Sequence, residues 1–423
     1  MNRKRALKGG QETSRALNRR AVFSLLRAES GLSRADLASR TGLSRAAITG
    51  VVNEMIGEGL LREGRPSAGP PGRRPIPLEI CYEARQAVGV RVLGRALECV
   101  LTDLSTRVLA KTVVPLEDST PAGLVEAIVT AVVRLGRTEA AVGSRITGVG
   151  VGIPGAVQAD TGKVLRSFRL GWRNVQLARM LAKRIDLPVW VDDDTHSFAL
   201  AQHLFGIGQH RGTVAVLAIG EGLGAATIVD GGLHRGDHGA AGKIGHVQLT
   251  KDGPLCECGR IGCLQAHHAE GGILARWGRG NRKALLAAVR AGEPDALHVL
   301  EEAGTEIGRV VAVYCTVIDP SVLVIGGEAT EFGDALLKPL GDALRQYAIA
   351  DHIEIILDWD ETSWARGAAA LATQRLFDFE AIQGAIASSP GVGSAAPETG
   401  PGPKMAGRIP LGSGGQGNRI RYP

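Results

Sequence analysis

The 423-residue chain contains no uninterrupted apolar run of the roughly 18 residues that a membrane span needs, and its first residues, MNRKRALKGG, carry no apolar segment behind their charges. Neither a membrane partner nor a secretory leader is therefore expected, and the cytoplasm is the expected location. Cysteine is sparse. Cys81, Cys99 and Cys315 stand alone in apolar contexts, which excludes the disulfide framework of a small secreted protein. The other three, Cys256, Cys258 and Cys263, share one short stretch. Aromatic residues make up only 4% of the chain while glycine reaches 58 residues, so many tight backbone turns are implied. The length calls for two or three domains, and 44% hydrophobic with 22% charged residues is the balance of a globular chain.

Acidic charge is scarce in one region only. Residues 1–85 hold 16 Lys and Arg against 8 Asp and Glu, whereas the remainder holds 33 against 35. A cationic segment attached to a near-neutral body suits a phosphate-backbone binder, although basic leaders also serve as solubilising tails.

Within that segment, Val22, Leu25 and Leu26 recur at helical spacing, Ser33 has the place of an N-cap, and Thr41-Gly42-Leu43 breaks a second helix before Ser44 caps a third. The third helix buries Ile48, Val51, Val52 and Met55 and turns Arg45, Ala46, Thr49 and Asn53 outward. Gly57 and Gly59 end it, and LLRE begins a wing strand. This is the spacing of a winged helix-turn-helix, whose second turn helix lies in the major groove; a three-helix bundle used for protein contacts is the bland alternative. Ser44, Arg45, Ala46, Thr49 and Asn53 are the expected DNA-facing residues. Residues 66–77 (PSAGPPGRRPIP) read as a Pro/Gly linker, in which Arg73 and Arg74 also suit an extended arm entering an A·T-rich minor groove.

Beyond the linker, AVGVRVLGRALECVLTDL reads as two strands around a tight turn, VEAIVTAVVRL as an amphipathic helix and RITGVGVGIPGAV as a buried strand ending in a loop. A second series runs from LPVWVDDD through THSFALAQHLFG, TVAVLAIG, AATIVDGG, a long helix over GTEIGRVVAVYCTVIDP and the strand VLVIGG. Two α/β lobes joined near residue 190 are expected, with a ligand cleft between them.

The motifs GVGVGIPG, GWRN, VDDDTH, GEGLGAATIVDGGLHRGDHGAAGKIGH, CECGRIGCL and IDPSVLVIGG follow one another behind the helix-turn-helix. In that order, over residues 15 to about 380, the chain resembles the ROK (repressor, open reading frame, kinase) family, and in particular its sugar-responsive repressors. The resemblance implies a two-lobed sugar-kinase-like body of the actin and hexokinase type over residues 78–381.

His246, Cys256, Cys258 and Cys263 form H-x9-C-x-C-x4-C, three thiolates and an imidazole, the donor set of a closed structural Zn2+ site. The resemblance implies the same four ligands. A redox pair is the alternative, but the spacing is not C-x-x-C and no partner is evident. Family kinases surround the sugar with an Asn-Asp pair, the Glu and His of E-x-G-H and a Glu after the last cysteine. The matching positions are Asp193, Asp194, Lys243, His246 and Gln265, to which Asn174 of GWRN is added. Asp194 keeps the place of the catalytic base as a vestige. Lys243 exchanges an acceptor for a cation, so it either pairs with Asp193 and closes the site or attracts an anionic sugar derivative.

Where those kinases carry the D-x-G-G-T phosphate loop, this chain has Arg91-Val92-Leu93-Gly94-Arg95, and Glu221 sits inside the second glycine loop. ATP and Mg2+ are therefore not expected as cofactors, and sugar phosphorylation is not expected. The tail over residues 382–423, rich in Gly, Pro, Ser and Ala, is expected to be disordered. The expected protein is a DNA-binding regulator, a repressor, working as a homodimer or homotetramer on double-stranded operator DNA with a sugar or sugar derivative as effector. An active ATP-dependent sugar kinase with an accessory DNA-binding domain is the alternative.

Overall fold

In a computed structural model, residues 11–65, 75–141, 145–209, 211–350 and 352–375 are described. Arg73 and Arg74, most of the expected linker and the expected disordered tail lie outside them. No helix among the described residues is long and apolar enough to cross a membrane.

The N-terminal module is built from α1 (Gln11–Ala28), α2 (Arg34–Thr41), α3 (Arg45–Gly57) and a hairpin of β1 (Leu61–Glu63) with β2 (Leu78–Ile80). Local chemistry sets each boundary. Ser33 and Asp36 form a reciprocal capping box at the start of α2, and Gly42 ends it at φ 71°, a left-handed conformation costly for most side chains. Ser44 Oγ accepts a hydrogen bond from Ala47 N at 3.2 Å to start α3. Ile48, Val52 and Met55 then pack on Val22, Leu26 and Leu37, all nearly or fully buried.

The strand β2 corrects the expected division of the chain. Leu78 and Ile80 register with Glu63 and Leu61 and join the module's apolar cluster, so residues 64–77 connect two strands of one hairpin and are not a spacer between domains. Leu104, from the body, enters the same cluster, and its N–H donates to the carbonyl of Tyr82 at 3.0 Å. Module and body share side chains there.

The first lobe contains β3 (Gln86–Val92), β4 (Ala96–Asp103), β5 (Val108–Pro115), α4 (Pro121–Gly136) and β6 (Ile146–Ile153). A small sheet of β7 (Ala156–Gln158), β8 (Lys163–Ser167) and β9 (Trp172–Val175) follows, then α5 (Leu177–Ala182), β10 (Val189–Asp193) and α6 (Asp194–Phe205). The second lobe holds β11 (Thr213–Ile219), β12 (Leu223–Val229), β13 (Gly232–His234), α7 (Leu264–His268), α8 (Glu270–Trp277), α9 (Arg282–Arg290), α10 (Pro294–Ile318), β14 (Val322–Gly326), α11 (Asp334–Tyr347) and β15 (Glu354–Asp358); α12 (Ser363–Arg375) closes the described chain. The two main sheets have matching orders, β10-β6-β3-β4-β5 and β15-β14-β11-β12-β13, each with parallel pairs on one side and antiparallel pairs on the other. This is the duplicated α/β lobe of the sugar-kinase-like fold.

The junction near residue 190 does not hold. LPVWVDDD supplies β10, the last strand of the first sheet, and the second sheet begins only at β11. In addition, α12 returns to the first lobe, where Ala365, Ala368 and Ala369 lie against β3 and β6. That approach requires glycine beneath the helix. A Cβ on Gly89 would overlap the Ala365 carbonyl oxygen, and one on Gly150 would overlap that of Ala368.

Gly150→Ala should therefore destabilise the protein by about 3 kcal/mol or more, because backbone rather than a flexible side chain must move. Gly271→Ala, in α8 with no neighbour near its added carbon, should leave stability unchanged or slightly raised. Urea unfolding of both variants checks the contrast, and equal stability of the Gly150 variant would remove the packing argument.

Candidate ligand cleft and metal-ligand cluster

Three successive aspartates cross from β10 into α6, and each meets a different fate. Asp192 and Asp193 are about 1% exposed. Asp193 caps α6, its Oδ1 accepting from Thr195 N at 3.2 Å and His196 N at 3.3 Å, while Oδ2 accepts from Gly155 N at 3.3 Å and from Lys243 Nζ. Asp192 accepts from Arg235 Nε at 2.7 Å and lies 3.3 Å from His196 Nδ1. Burial acts against its charge, but Arg235 and His196 outweigh burial and hold its carboxyl well below the usual range. Asp194 alone faces the space between the lobes, where burial and the neighbouring Asp193 raise its pKa against the pull of Lys243 and Arg91.

That space is a cleft of about 820 Å3. Of the residues expected at the ligand site, Asp194, Lys243, His246 and Gln265 line it, and Asp193 lies directly behind Lys243. Asn174 does not belong. It is exposed at φ 54° within β9, between the residues that pair with Val164 and Arg166, and lines no part of the cleft; Asn tolerates that left-handed conformation better than most side chains. Lys243 adopts the first of its two expected arrangements, pairing with Asp193. Burial works against its charge, yet Asp193 and Asp194 raise its pKa, so it stays an ammonium.

The opposite end of the cleft carries groups whose partners the sequence did not announce. Arg91 donates to Glu328 at 2.7 Å and Glu98 at 3.3 Å, with its guanidinium 4.5 Å from the centre of the Trp364 ring. Arg169 donates to Glu221 at 3.0 Å and lies 3.6 Å from Glu257. A Cβ on Gly220 would collide with the Glu328 carboxylate, so that acid occupies the space over the glycine turn. The missed residues Asp192, Arg235, Arg169 and Glu328 are scattered along the chain, and only the aspartate run gave any local signal.

Below the cleft, His246, Cys256, Cys258 and Cys263 bring their ligand atoms within 4.8 Å of one another. Cys258 Sγ and Cys263 Sγ are 3.7 Å apart, and His246 Nδ1 and Cys256 Sγ are 3.5 Å apart. Ordinary Zn–S and Zn–N bond lengths give tetrahedron edges of about 3.8 and 3.6 Å, so the donor set fits a tetrahedral metal. Gly259 and Gly262, at φ 85° and 74°, let the loop wrap the cluster. His246 also packs its ring edge on Phe168 at 5.4 Å and borders the cleft.

On the N-terminal module, Ser44, Arg45, Ala46, Thr49 and Asn53 are all exposed on α3. Ser44 spends its hydroxyl on the helix cap, and Asn53 Oδ1 accepts from Arg34 at 3.0 Å.

Models of two families match the chain: Winged helix-turn-helix DNA-binding over residues 16–62 and ROK family over residues 87–375. The chain is 29% identical over 355 residues to the DNA-binding transcriptional dual regulator NagC of Escherichia coli (strain K12), covering 81% of this chain and 87% of that protein. It is 29% identical over 294 residues to a glucokinase of Streptomyces coelicolor, covering 64% of this chain and 90% of the kinase. A crystal structure of a ROK family transcriptional regulator, described as a homolog of the E. coli MLC protein, superposes with a TM-score of 0.77 at 24% identity, over 88% of this chain and 98% of that one, and shows the fold.

Breaking the pair at the far end of the cleft should be costly. Glu328→Ala leaves a buried guanidinium with only Glu98, and a loss of about 2 kcal/mol is expected. Arg91→Met combined with Glu328→Leu should recover most of it, because no unpaired charge remains. Denaturant titration of the single and double variants distinguishes this from simple loss of packing, for which the double variant would be the less stable.

Proposed function

The chain belongs to the ROK family as a DNA-binding transcriptional regulator, and we propose that it is a repressor whose kinase-like body has become a ligand sensor. The observation that carries this reading is the filling of the phosphate end of the cleft by the chain's own Arg91–Glu328 pair. Phosphoryl transfer depends on positioning and neutralising phosphate charge. Here the guanidinium is already satisfied by Glu328 and Glu98, and Glu221 adds negative charge beside the glycine turn. Asp194 remains as a potential proton acceptor without the phosphate machinery that would make it a catalytic base.

In this reading α3 enters the major groove of double-stranded operator DNA. Arg45, Ala46 and Thr49 reach base edges, Ser44 holds the helix start close to the backbone, and Asn53 adds a contact once released from Arg34. Arg73 and Arg74 supply a minor-groove or backbone contact. Arg45→Ala should weaken operator binding by about tenfold or more, as expected for loss of a base or phosphate contact, while Gly271→Ala leaves it unchanged. Electrophoretic mobility shift at fixed salt checks this; undiminished affinity of variants at both Arg45 and Thr49 removes α3 from the interface.

The effector is a sugar or sugar derivative whose hydroxyls meet Asp194, His246 and Gln265. Asp194→Asn should weaken binding of that sugar by about tenfold in calorimetric titration over neutral sugars, phosphosugars and sugar acids. ATP turnover over the same panel, lost in Asp194→Asn, would instead establish the kinase.

The metal is zinc in a structural role, held by His246 and the three thiolates, and it fixes the loop that carries Lys243 and His246 into the cleft. Cys258→Ser should lower the bound zinc from about one per chain and cost several degrees of melting temperature. Elemental analysis gives the first readout and thermal unfolding with and without chelator the second; full zinc content in the variant would break the assignment.

The working form is a homodimer or homotetramer in the cytoplasm. Val313 and Val317 on α10 and Tyr347 and Ile349 at the end of α11 are exposed apolar side chains on neighbouring, packed helices, a surface suited to a second copy.

A further inference from the structure

A second cavity, of about 780 Å3, lies at the seam between the N-terminal module and the body, away from the cleft. The module contributes Arg27, near the end of α1, and Tyr82, after β2. The body contributes Arg107 and Lys111 from the β4–β5 turn and β5, Phe205 at the end of α6, and Arg366 from α12.

Four cations thus face one space, and only two are neutralised. Arg366 donates to Asp360 at 2.6 Å and to the Thr106 carbonyl at 3.0 Å. Arg107 donates to Asp103 at 3.1 Å. Arg27, by contrast, has no carboxylate partner among the described residues; its guanidinium lies 5.5 Å from the centre of the Phe205 ring, and burial lowers its pKa. Lys111 enters no ion pair among the described residues. Asp360, which also lines the cavity, and Asp103 are committed to Arg366 and Arg107. With four cations and a single acid, Asp360, lining it, the cavity is a net positive space that favours an anion. Two positive charges match the charge of a phosphate monoester, close to two negative charges at neutral pH.

We propose that the seam binds a small organic phosphate, with the phosphate held by Arg27 and Lys111 and the apolar part resting on Phe205 and Tyr82. Bound there, the dianion bridges a residue of the module to a residue of the body, and the arrangement that brings the two together gains population by the binding energy. The site is separate from the cleft and does not depend on what the cleft binds or on DNA.

Calorimetric titration of the full chain with phenyl phosphate tests it, with phenol as the uncharged counterpart. Saturable binding of phenyl phosphate and none of phenol is expected, and Lys111→Met and Arg27→Met should each weaken it by about tenfold, the size of one charge-assisted hydrogen bond. Arg166→Met, at an exposed cation lining the cleft, should leave it unchanged. Lys111 is exposed on a strand, so its variant keeps the test decisive should the Arg27 variant fold poorly. Three outcomes overturn the proposal: absence of saturable binding, weakening by Arg166→Met with Lys111→Met unaffected, or loss of operator affinity in Lys111→Met with no phenyl phosphate binding by the parent chain. The last would give these cations to the DNA backbone.

Discussion

Two carboxylates buried side by side at the end of β10 constrain the rest of the body. Carboxylates buried as deeply as Asp192 and Asp193 are costly unless cations and N–H groups surround them. Part of the compensation is local, from the first turn of α6 and His196. The cations, Arg235 and Lys243, come from the second lobe. Closing the lobes is thus the condition under which the interior of the first lobe is electrically satisfied. Arg91–Glu328 and Arg169–Glu221 repeat the device at the other end of the cleft, so ion pairs span both sides of the ligand space. Asp194 is left facing that space while the neighbouring charges are paired.

The same pairs support the proposal that this kinase-like body keeps the shape without the reaction. An ATP-binding cleft must hold its cations and N–H groups open for phosphate. In this chain the corresponding space is occupied by internal partners, and Glu328 covers the glycine turn. Architecture needs the glycines for close backbone approach; chemistry needs the emptiness above them. The first is present; over Gly220 the second is not.

The parts of this fold that were legible in the sequence are those fixed within a few residues. Ser33, Gly42 and Ser44 announce helix ends because a cap acts on its own turn, and the H-x9-C-x-C-x4-C spacing announces a cluster because the donors share one loop. What misled were features set by distant partners. LPVWVDDD has the same pattern whether it ends one sheet or begins another, and only its pairing with β6 decides. A Pro- and Gly-rich stretch reads as a linker unless Leu78–Ile80 is known to pair with Leu61–Glu63. Asn174 was carried over with its motif, although its backbone turns it to solvent. The return of α12 to the first lobe is recorded at Gly89 and Gly150, but a glycine in a strand does not say which helix lies above it.

Those corrections change how the cleft and the N-terminal module can communicate. A free spacer would pass on little of what the lobes do. Instead, Leu104 at the end of β4 is buried in the module's core, Cys81 N–H donates to the Leu60 carbonyl, and Arg85 donates to the Glu58 carbonyl at the end of α3. The strand pair β3–β4 also carries Arg91 and Glu98, registered opposite one another at the cleft. One rigid hairpin therefore touches the ligand space at one end and the core beneath α3 at the other. A ligand that binds the open and closed lobes equally well moves nothing through it, however tightly it binds. One that favours a single arrangement would act on the ion pairs holding that hairpin to the second lobe, and through Leu104 on the core beneath α3.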